Sequence, residues 1–294
     1  MVHGKVTGFM RTAPKRRQHG LSVALPASLT LDVPHLREKT ARIGMIARTL
    51  AIFRVDEVII YTDEQSEKAQ NEGRLLEQLL SYQETPQYLR KLLFKRSPEY
   101  EFAGTLPPLR TPNHPNRSPA EAGEVRDAVV LQSGEESQVD AGFGVPVTVA
   151  ARLRKFDRVT IRLTRVSPRL AAELVKPRKL AIYWGFRVSR RNVKLSELVK
   201  SRREELTIST SREGTDIRHV LKDLTLRWNS ASSSILLFGS PREGIPEILA
   251  RDKTEVSQIA DFNLNTVPEQ GVETVRTEEA VLATLSALNV LEIA

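Results

Sequence analysis

"NLNTVPEQGVETVRTEEAVLATLSALNVL", Asn263 to Leu291, joins two halves of opposite character. The second half repeats apolar residues at helical spacing and reads as an amphipathic helix. The first half places two Asn, a Pro, a Gln and a Gly within nine residues, directly after "IADF" (259–262), a probable-strand pattern of short apolar run and polar flank. Those residue types are poor in both strand and helix. The turn is therefore a bare connection or a segment built to hold something.

Two strands upstream end in similar fashion. "ISTSREGTD" (208–216) and "LLFGSPREGIPE" (236–247) each pass from a β-type run into a loop containing glycine and acidic residues. In open α/β sheets ligands sit outside the carboxyl ends of strands. Glycine lets the backbone approach a ligand closely, and helix N-termini favour carboxylate or phosphate. Gly239 and Gly244 have Walker A spacing, but Ile245-Pro246 stands where Lys-Ser/Thr is needed, and no G-x-G-x-x-G occurs. A triphosphate cradle and a dinucleotide fingerprint are thus excluded.

The α/β reading extends toward the N-terminus, with one interruption. "LSVALPAS" (21–28) alternates as a strand, and "REKTARIGMIARTLAIFRV" repeats Ile43, Ile46, Ala47, Leu50 and Phe53 at helical spacing. "DEVIIYTD" (56–63) is a buried strand, followed by a charged helix over 65–82 and a short helix begun by Pro86. "GTLPPLRTPNHPNRSPAEAG" (104–123), with five Pro, marks a linker. Beyond it "VRDAVVLQ", "QVDAGFG", "VPVTVAARL" and "DRVTIRLTRV" alternate at hairpin spacing without a helix, which predicts a small antiparallel barrel of the oligonucleotide-binding type. From Leu180 the rhythm resumes: a strand "LAIYWGFRVS", a helix over 193–202, a strand "ELTISTS", a helix over 216–224, the strand "SSILLFGS" and the helix "IPEILARD". The fold class is α/β, an open and mostly parallel sheet of residues 1–108 and 178–294, interrupted by a barrel at 109–177.

Composition narrows the chemistry. Of 294 residues 40% are hydrophobic and 27% charged, a globular balance with length for a sizeable core. There is no cysteine, so disulfides, thiolate catalysis and Cys-type zinc sites are excluded. His3, His19, His35, His114 and His219 have no metal-ligand spacing, and no metal site is expected. The start lacks an apolar signal core and no long apolar run follows, so the expectation is a cytoplasmic protein with no membrane partner. Net charge is +8, yet residues 141–200 alone carry 15 Lys or Arg against three acids, a net of +12, which leaves −4 for the remainder. A basic middle on a slightly acidic remainder points to a polyanion, and RNA is the expected partner. Arg152, Arg154, Lys155 and Arg158 in the barrel are the candidate phosphate contacts.

With these segments in place, the chain resembles the SPOUT RNA methyltransferases, whose cofactor site is a trefoil knot. It is most similar to an archaeal and eukaryotic branch with a β-barrel inserted in that domain. The resemblance rests on "LSVALPAS", "IARTLAIFRVDEVIIYTDE", "ETPQYLRKLLF", "YWGFRV", "ILLFGSPREGI" and "NTVPEQGVETVRTEEAVLATL", in that order. It implies a C-terminal knot, S-adenosyl-L-methionine as cofactor, structured RNA such as rRNA as substrate, and a homodimer packed through the knot. By the same resemblance Thr210 and Gly214 belong to the first cofactor loop. Phe238, Gly239, Ser240, Glu243 and Gly244 belong to the second. Leu264, Asn265, Val267, Pro268, Gln270, Gly271, Thr274 and Val275 belong to the third. Pro268 would fix the chain direction and Gly271 would let it pass the cofactor.

"RIGMIARTLAIFRV" resembles the family's first motif, with Arg48 on its arginine and Arg42 in place of its leading Asn. The resemblance assigns catalysis to Arg48, Glu243 and Asn265: Arg48 holds RNA, and Glu243 or Asn265 orients the acceptor. A carbonyl-capping or ion-pairing role is the alternative for Arg48, and dipole complementation explains Glu278 and Glu279. The expected function is SAM-dependent methylation of structured RNA. A base nitrogen such as uridine N3 is preferred to the ribose 2′-hydroxyl because the first-motif Asn is missing. The alternatives are a non-catalytic RNA-binding or ribosome-assembly protein of the same fold, and a nucleotide-binding regulator, which the basic segment disfavours. The long apolar face of "VRTEEAVLATLSALNVL" is a candidate dimer surface.

Overall fold

The computed structural model describes residues 13–116, 119–202 and 206–292. The chain divides into two compact units: residues 18–109 with 185–294, and residues 1–17 with 110–184.

The larger unit is built on strands that are apolar on both faces. In β1 (Gly20–Pro26) and β2 (Glu57–Thr62) every residue but one end position is buried, the signature of a parallel strand covered on both sides. With β8 (Arg187–Lys194), β9 (Leu206–Asp216), β10 (Ser233–Leu237) and β11 (Phe262–Asn265) they form one sheet in the order β11-β9-β10-β1-β2-β8. Every neighbouring pair runs parallel.

Strand alternation then divides the core in two. Val23, Leu25, Val58, Ile60 and Leu236 point to one face, where α1 (Leu36–Ile52), α2 (Glu67–Glu84), α5 (Ile217–Ser230) and α7 (Thr277–Asn289) bury Ile46, Leu50, Leu76, Leu80, Leu224, Trp228, Val281 and Leu285. Ala24, Ile59, Tyr61, Ile235 and Leu237 point to the other, against α4 (Leu195–Lys200) and α6 (Ile245–Ala250). A short α3 (Gln87–Leu93) follows Pro86. Local chemistry sets the helix limits: the Ser66 side chain accepts from the Ala69 amide at 3.1 Å to start α2, and Thr85, preceding a proline, ends it in extended conformation.

The smaller unit holds a closed five-stranded barrel. Its strands are β3 (Val125–Gln132), β4 (Ser137–Asp140), β5 (Val147–Val149), β6 (Arg158–Arg165) and β7 (Ala171–Leu174), in the order β3-β4-β5-β7-β6 with β6 returning to β3. Small apolar residues fill it, among them Ala128, Val130, Val139, Val147, Val149, Ile161 and Leu163. The buried Asp127 carboxylate accepts from the Thr160 hydroxyl at 2.7 Å and the Trp184 indole at 2.9 Å, and pairs with Arg158 at 2.5 Å. A buried acid satisfied on three sides is tolerated where an unpaired one is not.

Several expectations need correction. The barrel is not purely antiparallel, because β5 and β7 pair in parallel. The fifth strand, β7, escapes notice in the sequence because it is four residues long and half of them are exposed. Residues 180–186 do not begin a sheet strand: Tyr183 and Trp184 are buried, Gly185 has φ +87°, and β8 starts only at Arg187. The limits of the compact units fall after Leu109, one residue from the expected break, and after Trp184, seven residues beyond the expected 177, and the described arm from Ala13 to Arg17 belongs with the barrel.

Val281, Leu285 and Leu288 of α7 are buried in the core of its own unit, while Leu282 on the same helix stays exposed. Glu278 pairs with Arg42 at 3.2 Å, while the Glu279 carboxylate accepts from the Arg276 amide at 2.9 Å. Among the described residues no helix is long and apolar enough to cross a membrane.

Candidate active site

Three segments of the larger unit converge on a cavity of about 410 Å³. The first is an excursion in the middle of β9. Asn263 of β11 pairs with Ser209 and the next residue, Leu264, pairs with Thr215, so residues 210–214 leave the ladder and return. The expected loop over 208–216 is therefore an interrupted strand. Gly214 makes the return possible. A Cβ there would lie 2.6 Å from the Leu264 carbonyl carbon, 2.8 Å from the Asn263 oxygen and 2.9 Å from the Asn265 nitrogen. The Thr210 hydroxyl donates to the Leu237 carbonyl at 2.9 Å, tying the excursion to β10.

The second segment links β10 to α6. The Ser240 amide donates to the Glu243 carbonyl at 2.8 Å, and the Ser240 hydroxyl accepts from the Glu243 amide at 3.0 Å. The loop folds back so tightly that a Cβ on Gly239 would lie 2.7 Å from the Glu243 oxygen and 2.9 Å from the Gly244 Cα. From within the sheet, the Tyr61 hydroxyl donates to the Phe238 carbonyl at 2.8 Å. Burial first, and the Asp63 charge second, push the Tyr61 pKa well above the ordinary tyrosine value, so the phenol stays a neutral donor. Tyr61→Phe should lower stability by roughly 1–3 kcal/mol, the cost of a buried acceptor left unpaired. Urea unfolding checks this through a lower midpoint at unchanged slope.

The third segment runs from β11 to α7. The Asn265 side chain accepts from the Val267 amide at 3.0 Å and donates to the Arg212 carbonyl at 2.9 Å, joining first and third segments. Gln270 donates to the Val272 and Glu273 carbonyls at 2.9 and 3.1 Å, and Arg212 donates to the Glu273 carbonyl at 3.0 Å. The odd composition of this turn thus supplies amides that satisfy backbone carbonyls where no regular ladder does.

Of the residues assigned by resemblance, Thr210, Phe238, Gly239, Ser240, Glu243, Gly244, Leu264, Asn265, Val267, Gln270, Thr274 and Val275 line this one cavity. Gly214, Pro268 and Gly271 do not. Gly214 sits behind the wall, where β9 passes β11 too closely for a Cβ, whereas a Cβ at Gly271 meets no protein atom within 4 Å. Arg48 is also outside the lining. Its guanidinium donates to the Pro108 and Leu109 carbonyls at 3.0 and 2.7 Å, the carbonyl-capping alternative. The Glu243 carboxylate is engaged by Arg251, which also donates to the Asp63 carbonyl at 2.6 Å.

The excursion and the two loops also carry Arg212, Glu213, Arg242, Glu247 and Glu273 into the lining. The sequence reading passed over them because charged residues beside glycines look like ordinary solvated loop. Their position within one to three residues of the quoted glycines was the available signal. Arg212 is held by Glu273, whereas the Arg242 guanidinium makes no hydrogen bond or ion pair among the described residues. Among the described residues no group of three potential ligands could hold a metal ion.

The candidate RNA contacts lie on the barrel unit. Arg152, Arg154 and Lys155 occupy the exposed β5–β6 connection, and Arg154 pairs with Asp157 at 3.0 Å. Arg158 is different in kind. Its pairing with the buried Asp127 makes it a structural residue of the barrel.

A parallel sheet with a cavity at the carboxyl ends of its strands, and no triphosphate cradle, places the chain among open-sheet α/β proteins that hold a small molecule at that edge. Residues 20–288 match the family described as "Putative RNA methyltransferase", and the chain belongs to that family. It is 33% identical over 288 residues to an uncharacterised protein of Halobacterium salinarum, covering 92% of this chain and 99% of that one. It is 32% identical over 302 residues to a mouse 28S rRNA (uridine-N(3))-methyltransferase, covering 92% of this chain and 76% of that protein. The human protein of the same name is 30% identical, covering 92% of this chain and 78% of its own length. Among solved structures, a SpoU methyltransferase from Streptomyces viridochromogenes aligns at 11% identity with a TM-score of 0.34, covering 94% of this chain and 59% of that one.

Proposed function

We propose that this chain transfers a methyl group from S-adenosyl-L-methionine to N3 of a uridine in ribosomal RNA. The observation that carries the reading is the convergence of three backbone-rich segments on one cavity, in a chain of an RNA methyltransferase family. The mouse and human relatives, matched along 92% of this chain, are named for that reaction.

The lining suits the cofactor. About 410 Å³ falls in the usual range for a small-molecule site. Phe238, Leu264, Val267 and Val275 offer apolar walls for a heterocycle, and Glu213 and Glu273 in the lining supply the negative charge that suits a sulfonium cation. When bound, the cofactor supplies an electrophilic methyl carbon. The chain's own task is to align the acceptor and manage its proton. Uracil N3 becomes a nucleophile on losing its proton, and the resulting anion spreads charge to O2 and O4. Arg242 is the lining cation free to receive that charge. Glu213 and Glu247 make no ion pair among the described residues and are the proton acceptors of choice.

The engaged side chain of Glu243 and the locally satisfied amide of Asn265 fit positioning of the loops better than contact with the acceptor. A non-catalytic RNA-binding role accounts for the barrel but gives the cavity and its unpaired arginine no purpose. Calorimetric titration of the full chain with S-adenosyl-L-methionine, in the presence of EDTA, tests the reading. Saturable binding is expected, and a flat titration of folded protein at millimolar cofactor contradicts it.

Three finer features belong to the same proposal. The C-terminal segments form a trefoil knot, a reading that rests on the family resemblance. The barrel is of the oligonucleotide-binding type, supported by its five-strand closure and basic surface. The protein works as a homodimer, with exposed apolar side chains on α5 (Leu221 and Leu226, 46% and 68%) and on α7 (Leu282, 42%) as the candidate surface. Sedimentation at micromolar concentration giving the monomer mass of 33.0 kDa contradicts the dimer.

A further inference from the structure

The β5–β6 connection of the barrel contains a residue that its own turn disfavours. The Asp157 amide donates to the Arg154 carbonyl at 3.1 Å, closing a β-turn over 154–157. Phe156 occupies the third position with φ +70°. That position of a turn with one left-handed residue favours glycine, because a Cβ crowds the adjacent carbonyl. A bulky aromatic there is an outlier that the surroundings must enforce. They do so through the backbone: the Phe156 amide donates to the Val130 carbonyl at 2.9 Å, and the Val130 amide donates to the Asp157 carbonyl at 3.0 Å.

The side chain gains nothing from this in packing. Phe156 is 59% exposed and is absent from the residues packed on the barrel core. Its neighbours are cations instead. Lys155 holds its ammonium 5.1 Å from the ring centroid, and Arg152 and Arg154 are exposed on the same connection. Arg152 and Lys155 make no ion pair among the described residues. A solvent-facing aromatic ring on a backbone fixed by hydrogen bonds, among three cations of which Arg152 and Lys155 are unpaired among the described residues, has the chemistry of a single-stranded nucleic-acid contact. The ring offers a face to any base, and the cations meet the flanking phosphates.

We propose that Phe156 is a stacking platform for one unpaired base of the RNA substrate, gripped by Arg152, Arg154 and Lys155 on its backbone. This rests on the RNA reading above and adds to it a strandedness: the barrel engages a segment whose bases are not paired. A protein partner for the same ring is the competing occupant, and the charge around it favours RNA.

The test uses the full chain, a fluorescein-labelled ten-nucleotide oligouridylate and a labelled RNA duplex of equal length, with affinities read by anisotropy across a salt series. Phe156→Gly should weaken binding of the single strand on the order of 5- to 100-fold, as loss of one base stack implies, at unchanged salt slope. Duplex affinity should not change. The melting temperature should hold or rise, because glycine suits the turn, so weaker binding is not misfolding. Phe156→Tyr should retain affinity within about twofold, since it keeps a ring face. A glycine variant that binds the single strand as tightly as the parent overturns the platform and leaves the ring to a protein partner, while the RNA reading stands. Equal loss on duplex and single strand also overturns it. A parent chain that binds neither RNA removes both readings together.

Discussion

Gly214→Ala is expected to cost the protein stability and cofactor binding together. The three atoms within 3 Å of the added Cβ are all backbone, belonging to Asn263, Leu264 and Asn265, so no side chain can swing aside. Either β9 and β11 separate or the excursion over 210–214 is displaced. Overpacking of this kind costs about 1–3 kcal/mol, and the absence of a flexible neighbour places this site at the upper end. The same shift moves Thr210, Arg212 and Asn265, whose hydrogen bonds hold the cavity wall. Affinity for S-adenosyl-L-methionine should therefore fall at least about tenfold, or ~1.4 kcal/mol. Gly271→Ala is the stability control: its Cβ meets no protein atom within 4 Å, and the melting temperature should stay at the parent value. Equal melting temperatures of the two variants would refute the close passage at Gly214.

Arg242→Ala should act in the opposite way, on rate with little effect on stability. Its guanidinium is exposed and makes no side-chain bond among the described residues, so the fold loses nothing when it goes. If it receives the charge of a deprotonated uracil, its removal should lower kcat by roughly 10²–10³-fold, the usual effect of deleting one preorganised donor at a developing anion. Cofactor affinity should change by less than about threefold, within 0.7 kcal/mol. Steady-state methyl transfer, with calorimetry on the same preparation, separates the two quantities. A variant with parent kcat would contradict stabilisation of the uracil anion by Arg242.

How far the sequence foretold this arrangement varied with the physics of each part. Helices α1 and α2 and strands β1 and β2 were legible because burial on their faces imposes a period on the residues. The inserted barrel was legible from alternation and charge, but β7 was not, since a short strand completing a closed barrel needs few apolar residues of its own. The excursion in β9 was hidden for another reason. Its residues read as a loop, and only pairing with β11, some fifty positions away, reveals a strand that leaves and rejoins the ladder.

The third loop was legible in composition while the work of each residue was not. Asn265 and Gln270 look like ligand-facing amides, yet their partners are the carbonyls of Arg212, Val272 and Glu273. Arg48 shows the limit of transferring a role by motif. Its place in α1 fits the resemblance, but its guanidinium caps two carbonyls in the same unit. Arg242 lies inside the quoted segment "ILLFGSPREGI", yet its residue type there reads as solvated loop, and the geometry of the loop brings it to the cavity.

The reaction proposed for this chain places a methyl group on uridine N3 of ribosomal RNA. Its most direct test is mass spectrometry of nucleosides from ribosomal RNA incubated with the purified chain and methyl-labelled S-adenosyl-L-methionine, digested and compared with a reaction containing the Arg242→Ala variant. The account predicts labelled N3-methyluridine with the parent chain and a large loss of it with the variant. Label in a ribose-methylated nucleoside, or no label from a chain that binds both cofactor and RNA, would contradict it.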